Sequence, residues 1–327
     1  MITLRANVNG TWIDITSVTG NYTRSDNIDA LGMSFNFDLL NNPLDAKFNR
    51  YEIPIGSKVV LSNNGANVFS GIIISYDRGN MSRYTYKAYD YGFYLNKSEA
   101  MIQFNNTSVS AAITRLCNEN SIPVGTVTSI STNVSKIYNG DKISDIIKDL
   151  LKMGTNELGT KYRLEVRDNK LYIDKYEDLV LTAYYKPARN VGGFNSANYP
   201  GGFSSNYSIE NMSNRVLIVS SSEKHASIQA AAEDSGNISK YGLLTKVEKL
   251  DDKNKSQATN IAKTKLKELN KVTRSFKITL FGDDKIRSGR MIVFNQPEIN
   301  LVGTYLVKNC THKYNGRSHI MELDLEV

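Results

Sequence analysis

Short runs of alternating apolar and polar residues, separated by glycine and asparagine, fill the N-terminal part of the chain. Residues 31–40, 56–64, 67–77 and 82–95 show this pattern most clearly. Alternation with a period of two places every second side chain on one face of a β-strand, and Gly and Asn tolerate the positive φ angles that tight turns need. The pattern predicts a β domain over residues 1–98.

The pattern changes to helical spacing in the next part of the chain. Apolar residues recur at intervals of three and four over residues 107–117 and 143–151, and an alternating stretch interrupted at 168–169 follows. These features predict two helices and a hairpin, which together form an α+β module over residues 99–185. Cys117 falls on the apolar face of the first helix, so we expect a buried, unreactive thiol there.

Residues 186–206 are rich in Gly, Asn, Ser and Pro and have no apolar period, so we expect a linker or loop. Alternation resumes over residues 207–327, where helices are predicted at 225–235 and 255–272. The closing strands with their Gly turns are typical of a small barrel or sandwich. The chain as a whole is therefore predicted to be α+β and dominated by β structure.

The charge of the chain is mildly positive. Lysine and arginine total 40 against 33 aspartates and glutamates, which gives a net charge of +7. The basic residues are scattered, apart from residues 263–271, and do not form the patch with interleaved aromatics that nucleic-acid binders carry. We therefore expect no sequence-specific nucleic-acid partner.

Targeting and membrane signals do not stand out in the sequence. No apolar run approaches the roughly 20 residues that a membrane-spanning helix needs. The N-terminus lacks the basic and apolar segments of a secretory signal. The 2 cysteines exclude a disulfide framework and suggest a reducing compartment. We expect no membrane anchor, and a protein that stays in the cytoplasm where it is made or leaves by a route other than secretion.

Motifs that would indicate an enzyme are missing. The sequence contains no Gly-x-Ser-x-Gly elbow, His-Glu-x-x-His motif, phosphate-binding loop or Cys-x-x-Cys pair. Adjacent acids occur at 251–252 and 283–284, both in predicted turns, where aspartates are usually solvated and stabilise the local turn. We predict no catalytic residues, no cofactor and no enzymatic activity.

The C-terminal stretch carries the most prominent candidate site, since Cys310, His312 and His319 lie within ten positions. If the Asn-Gly step at 315–316 forms a two-residue type I′ turn, His312 faces His319 directly and Cys310 shares their face. Two such imidazoles could bind a metal. A zinc site, however, needs three or four protein ligands, and His225 is distant in sequence. The sequence favours a structural role for His312 and His319, and no metal.

Several segments in this order resemble a known family. The first match is a strand with Phe69, Gly71 and Ile73, followed by a Tyr-rich strand with Tyr86, Ala88, Asp90, Tyr94 and Leu95. Residues 111–125, 208–219, 238–269, 281–294 and 303–325 continue the match. The chain resembles phage tail baseplate hub proteins of the late-control-D superfamily, in the branch of PBSX-like prophages and phage-tail-like bacteriocins. The Gly-rich residues 192–202 match least.

The resemblance implies a structural protein of a contractile tail. Such hubs have two tail-tube-like β-barrels, which would occupy residues 1–98 and 207–327, with the α+β module between them. Three copies would present six similar barrels and so adapt the sixfold tail tube to a threefold spike. The implied partners are two further copies of the chain, the tail tube protein, the central spike protein, and other baseplate and tape-measure components. Assembly would take place in the cytoplasm of the producing bacterium, and the final location would be the baseplate of the virion or tail particle.

A second class of tail protein stays open on the sequence alone. A cell-wall-directed protein, either a peptidoglycan hydrolase or a carbohydrate- or receptor-binding protein, would also be rich in β structure and tyrosine. Assembly behaviour separates the two classes, because a hub forms a threefold ring with tube or spike. A lytic protein instead clears a suspension of cell walls.

Overall fold

The computed structural model describes residues 1–42, 44–48, 51–79, 83–181, 203–220, 227–250, 252–297, 300–316 and 318–326. Most of the predicted linker, residues 186–202, lies outside these ranges, whereas residues 203–206 belong to a strand. The described part of the chain is α+β and dominated by strands, which confirms the predicted class. Among the described helices, none is long and apolar enough to cross a membrane.

The strands, in chain order, are β1 (Ile2–Val8), β2 (Thr11–Asp14), β3 (Thr19–Asn27), β4 (Ser34–Leu40), β5 (Lys58–Asn63), β6 (Ala66–Arg78), β7 (Arg83–Tyr89), β8 (Glu99–Ser108), β9 (Val124–Val127), β10 (Asn133–Lys142), β11 (Tyr162–Arg167), β12 (Lys170–Lys175), β13 (Val180–Leu181), β14 (Phe203–Ser208), β15 (Arg215–Ser220), β16 (Ile228–Glu233), β17 (Thr245–Leu250), β18 (Thr273–Phe281), β19 (Met291–Gln296), β20 (Leu301–Asn315) and β21 (Ser318–Glu326). The helices are α1 (Gly92–Lys97), α2 (Val109–Glu119), α3 (Ile143–Leu158), α4 (Ser235–Tyr241) and α5 (Ala258–Leu269).

Most of the strands belong to a single sheet of 13 strands. Its path runs β14-β18-β21-β20-β3-β4-β7-β6-β5-β1-β2, and β19 pairs with both β20 and β13. The path has open ends at β2 and β14, so the described residues form no closed barrel. The two barrels that the resemblance implies therefore remain a prediction.

Strand β20 joins the N-terminal strands to the C-terminal strands. Residues 301–306 pair with β19, residues 309–314 pair with β3, and β21 runs alongside most of the strand. The closing hairpin therefore belongs to both halves of the sheet and not to the C-terminal half alone.

The sheet carries two separate hydrophobic cores. The N-terminal core includes the aromatic rings of Phe35, Phe37, Phe69 and Tyr86, which are in contact with one another in sequence around the core. The C-terminal core includes Phe276, Phe294, Tyr305, Leu323 and Leu325. Strand β20 contributes Tyr314 to the N-terminal core and Cys310 to the C-terminal core, so one strand links the two cores covalently.

The α+β module forms a third core between α2, α3 and five strands. Helix α2 begins where Ser108 Oγ accepts a hydrogen bond from the Ala111 amide, which caps the helix. Helix α3 ends at Gly159, whose φ of +73° is the left-handed conformation that glycine adopts without strain. Both helices direct their apolar stripes onto β8 with β10, and onto β9, β11 and β12. Cys117 is buried there, as predicted.

A fourth core lies between α5 and the three-stranded sheet β16-β15-β17. The helix predicted at 225–235 is wrong, because residues 228–233 form β16. Ala230 and Ala232 pair with Ile218 and Val216 of β15, which puts small side chains beneath α5. Here the packing of a helix on the sheet outweighs the helix propensity of alanine.

The hairpin predicted to turn at 168–169 is confirmed, whereas the register predicted for the last hairpin is wrong. The turns at 64–65 and 168–169 have positive φ at both positions and join adjacent strands. In the last hairpin, Tyr314 instead pairs with His319 and Asn315 with Ser318. The observed pairing differs by two positions from the predicted one, and Gly316, with φ +52°, follows the last paired residue of β20. A shift of two keeps every side chain on its predicted face.

Candidate functional site at the junction of the two β cores

A cluster of polar side chains lies where the C-terminal hairpin crosses from one β core to the other. It consists of Arg24 from β3, Asp284 from the turn after β18, His312 and Tyr314 from β20, and His319 from β21. We call these five residues the junction cluster. Arg24 is 2% exposed and His312 is 1% exposed, so both depend on partners within the protein.

A directed chain of hydrogen bonds fixes the tautomers of the two histidines. His312 Nε2 lies 2.9 Å from the backbone oxygen of Ile286, and a carbonyl can only accept, so Nε2 carries the hydrogen. In the neutral ring Nδ1 is then an acceptor. His319 Nε2 lies 2.9 Å from this Nδ1 and must donate to it. The hydrogen bonds therefore run from His319 to His312, and from His312 to the backbone oxygen of Ile286.

The charge state of the two histidines agrees with this direction of the hydrogen bonds. Burial and, to a lesser degree, the nearby Arg24 guanidinium lower the pKa of His312 to about 3. Burial also lowers the pKa of His319, although Asp284 acts in the opposite direction. Both rings are therefore neutral near pH 7.

Asp284 is held as a carboxylate by three donors. The Tyr314 hydroxyl and Arg24 Nη2 donate to its Oδ1, and Asn63 Nδ2 donates to Oδ2 at 2.8 Å. Burial alone would raise the pKa of Asp284, but these hydrogen bonds and the Arg24 charge outweigh it, so the pKa is lowered. The second guanidinium nitrogen of Arg24, Nη1, donates to the backbone oxygen of Val68 at 2.6 Å.

Cys310 lies next to the junction cluster, but its thiol has no nucleophilic character. Its Sγ lies 3.1 Å from His312 Nε2 and 3.6 Å from the Ile286 oxygen. Burial raises the pKa of Cys310 well above its usual value, so the thiol stays protonated. Burial likewise raises the pKa of Cys117 to about 12, in agreement with the unreactive thiol expected there.

A second buried group of charges fastens the α+β module to the sheet. Arg290, next to β19, donates two hydrogen bonds to the carboxylate of Glu165 in β11, from Nη1 at 2.9 Å and from Nη2 at 2.8 Å. Burial would raise the pKa of Glu165, but Arg287, Arg290 and Arg167 together lower it to about 2. This carboxylate is therefore charged at every pH at which the protein is handled.

Asp26 extends this group into β3. Its Oδ2 accepts hydrogen bonds from both the amide and the hydroxyl of Ser288, each at 2.9 Å. Ser288 Oγ in turn accepts from Arg163 Nη2 of β11 at 2.8 Å. The N-terminal strands, the module and the C-terminal strands thus meet in one hydrogen-bonded network.

The structure brings some of the predicted candidates together and separates others. His312 and His319 are in contact, although His312 pairs directly with Met321 in the ladder. Of the adjacent acids, Asp283 stabilises its own turn as predicted, because its Oδ1 accepts a hydrogen bond from the Lys285 amide. Asp284 does not stabilise the turn in this way, because its carboxylate accepts hydrogen bonds from Arg24, Asn63 and Tyr314. Asp251 lies outside the described residues.

Sequence reasoning missed Arg24, although a signal was present. Tyr22 and Arg24 are both buried and share one face of β3, where alternation predicts core residues. An arginine at a core-facing position of a strand indicates a buried partner for its charge. The partner, Asp284, lies far along the chain and could not be read from local pattern.

A cleft of about 690 Å³ opens beside the junction cluster. The tips of the β5–β6 and β11–β12 hairpins form its walls, and Arg24, Asp284 and His319 lie at its lining. Asn169, at the tip of the β11–β12 hairpin, donates from Nδ2 to Ser70 Oγ of β6 across the cleft at 2.7 Å. The cleft therefore connects the buried histidine pair to solvent.

The chain matches a protein-family model. The model described as YQBQ-like matches residues 22–326. Among curated relatives, protein YqbQ of Bacillus subtilis is 27% identical over 280 residues, which cover 84% of this chain and 82% of the relative. The phage-like element PBSX protein XkdQ of the same species is 25% identical over 279 residues, with the same coverage of 84% and 82%.

Solved structures of tail proteins share the fold. The 43 kDa tail protein of prophage MuSo2 from Shewanella oneidensis matches with a TM-score of 0.71 at 11% identity, over 99% of this chain and 98% of that one. A tail protein of Neisseria meningitidis gives 0.68 at 16% identity, over 100% and 96%. The E. coli c3393 protein gives 0.54 at 11% identity, over 94% and 73%. That protein is described as a type VI secretion component with structural similarity to the T4 tail proteins gp27 and gp5.

Proposed function

This chain belongs to the YQBQ-like family, and from that premise we propose that it is the structural baseplate hub of a contractile phage tail or phage-tail-like particle. Its fold is that of phage tail and baseplate proteins. In the proposed role the chain forms a homotrimer that adapts the sixfold tail tube to the threefold central spike.

The observation that carries the proposal is the presence of two β cores in one chain, joined by the continuous strand β20. We take each core to be a tail-tube-like barrel, one within residues 1–98 and the other within 207–327. Three copies then supply six such units. A ring of six can match the tube while the trimer as a whole matches the spike.

The open ends of the sheet support assembly by strand pairing between copies. β2 and β14 each pair with a single neighbour among the described strands, so their outer edges offer free hydrogen-bonding groups. Each edge also exposes an aromatic ring, Trp12 at 40% and Tyr207 at 51%. Aromatic side chains are enriched at interfaces, and an obligate interface of this kind buries roughly 2,000 Å² or more.

The α+β module over residues 99–185 acts in this proposal as a rigid spacer. Its ion pair with Arg290 and its contact with Asp26 through Ser288 hold it against both halves of the sheet. The remaining proposed partners are the tail tube protein, the spike protein, and other baseplate and tape-measure components. The proposed location is the baseplate of the finished particle, after assembly in the cytoplasm of the producing bacterium.

Co-purification tests the proposal against the cell-wall-directed alternative. The chain is co-expressed with the central spike protein of the same particle, with only the spike carrying an affinity tag, and both are assayed for clearing of a cell-wall suspension. We expect the chain to be retained with the spike and the suspension to stay turbid. A chain that flows through as a monomer and clears the walls would contradict the hub role and support the alternative.

A further inference from the structure

A third potential metal ligand joins the two histidines of the C-terminal hairpin. One ligand atom each from Asp284, His312 and His319 lies within 4.8 Å of the other two. A two-histidine site was set aside on the sequence because a zinc site needs at least three protein ligands. We propose that Asp284, His312 and His319 bind a divalent transition metal ion, with zinc as the best fit.

His312 is already held in the orientation that a ligand needs. Its Nε2 hydrogen is fixed on the Ile286 oxygen at 2.9 Å, so the lone pair of Nδ1 points toward His319 Nε2, 2.9 Å away. Metal-binding histidines characteristically donate their other ring nitrogen to a carbonyl or carboxylate, which fixes the tautomer and the ring plane.

His319 is held from both faces of its ring. The Tyr314 ring stacks on it with centroids 4.1 Å apart, and the backbone of Gly282 lies against it so closely that a Cβ there would fall 2.1 Å from the ring. Its Nε2 lies 2.9 Å from His312 Nδ1 and 3.8 Å from Asp284 Oδ1. One nitrogen therefore faces both other ligands.

Metal binding requires one change of tautomer and a small movement. The hydrogen on His319 Nε2 moves to Nδ1 through solvent, and the ion takes its place, so the imidazoles gain and lose no proton overall. Bonds of about 2.0 Å in tetrahedral geometry separate two nitrogen ligands by about 3.3 Å. The two rings must therefore part by roughly 0.4 Å, which the half-buried His319 can supply at the cleft.

The surroundings of Asp284 determine which ion fits and how tightly. Asn63 and Tyr314 orient the carboxylate, and the adjoining cleft supplies a path for the ion and room for water as the fourth ligand. Two imidazoles among three ligands favour zinc, cobalt or nickel over magnesium or calcium. Arg24 Nη2, 3.3 Å from Asp284 Oδ1, competes for the carboxylate, so binding should be weaker than at a closed structural zinc site.

The inference is independent of the hub role, and its test uses the chain alone. Protein stripped with a chelator is titrated with cobalt, followed by zinc. We expect one equivalent of cobalt to produce the visible absorption bands of a low-coordinate site with nitrogen and oxygen ligands. Zinc should abolish these bands, whereas magnesium should not. Zinc should also raise the melting temperature, because it binds the folded chain, and chelator should reverse the shift.

Two variants and a matched control locate the site. H319Q and D284N should each lose the cobalt bands and the zinc-dependent rise in melting temperature. H225Q, which removes the only other histidine of the chain, should keep both. Absence of saturable cobalt or zinc binding in the wild type overturns the proposal, whether or not the variants fold. Binding by H319Q equal to that of the wild type also overturns it.

Discussion

Arg290 and Glu165 form a two-pronged ion pair between the C-terminal strands and the α+β module, with N–O distances of 2.9 and 2.8 Å. Side-chain exposure is 9% for Arg290 and 2% for Glu165, so water cannot replace either partner. A buried pair of this geometry makes the position of the module specific, because any other placement would leave a charge without its counterpart.

Removal of one partner should therefore destabilise the protein strongly. We expect R290M to lower the free energy of unfolding by about 3–5 kcal/mol, since it leaves the Glu165 charge buried with less compensation. Urea unfolding at pH 7 measures the change. The control is R115M, which breaks the exposed pair between Arg115 and Glu119 and should cost less than about 1 kcal/mol. Equal losses in the two variants would contradict the role assigned to the buried pair.

Gly71 belongs to the strand motif with Phe69 and Ile73 that resembles the family, and the packing of β6 requires a glycine at this position. A Cβ at this position of β6 would lie 2.2 Å from the backbone oxygen of Tyr89, and the tight contact is with backbone that cannot rotate away. We expect G71A to cost about 1–3 kcal/mol through overpacking. Thermal and urea unfolding measure the loss.

The matched control for G71A is G20A, in strand β3. A Cβ at Gly20 would have no heavy atom within 4 Å, so we expect a change within about 0.5 kcal/mol. If G71A proved as harmless as G20A, the close approach of β7 to β6 at this position would be disproved.

Two buried groups should make stability depend on pH in opposite directions. Burial raises the pKa of Asp90 to about 6, so its contribution to stability is lost as the pH rises from about 4 to about 6. Burial lowers the pKa of His312 to about 3, so its contribution is complete above about pH 6.5 and is lost as the pH falls toward 3. Between pH 4 and 6 the two contributions partly cancel.

The variant D90N separates them. Asparagine can still accept the Gly92 amide hydrogen bond but does not titrate. Between about pH 4 and 6, the free energy of unfolding of D90N should rise with pH more steeply than that of the wild type, by up to about 1.4 kcal/mol per pH unit. Denaturant unfolding at a series of pH values tests this, and parallel curves for the two proteins would refute it.

Local pattern was sufficient for the elements that local physics determines. The hairpin at 168–169 and helix α2 both follow from the pattern of a few adjacent residues. The strand at 228–233 could not be predicted in this way. An alanine run by itself favours a helix, whereas here it pairs with β15 and packs beneath α5. Pairing with distant segments decides such cases.

The candidate site shows the same division. The faces of His312 and His319 could be predicted, because strand alternation survives the register error at Gly316. The polar groups around them could not, since Asp284 and its partners Arg24 and Asn63 come from three other segments of the chain. The prediction that Asp284 is solvated was wrong for this reason, and no local pattern in residues 301–315 indicates that β20 contributes to both cores.

The symmetry of the complex with spike and tube proteins tests the central claim most directly. Electron microscopy of the co-expressed complex should show three copies of the chain around one spike, arranged as six similar lobes on the side facing the tube. Trp12 and Tyr207 should be buried between adjacent copies. A complex with any other number of copies, or a ring without threefold symmetry, would contradict the account.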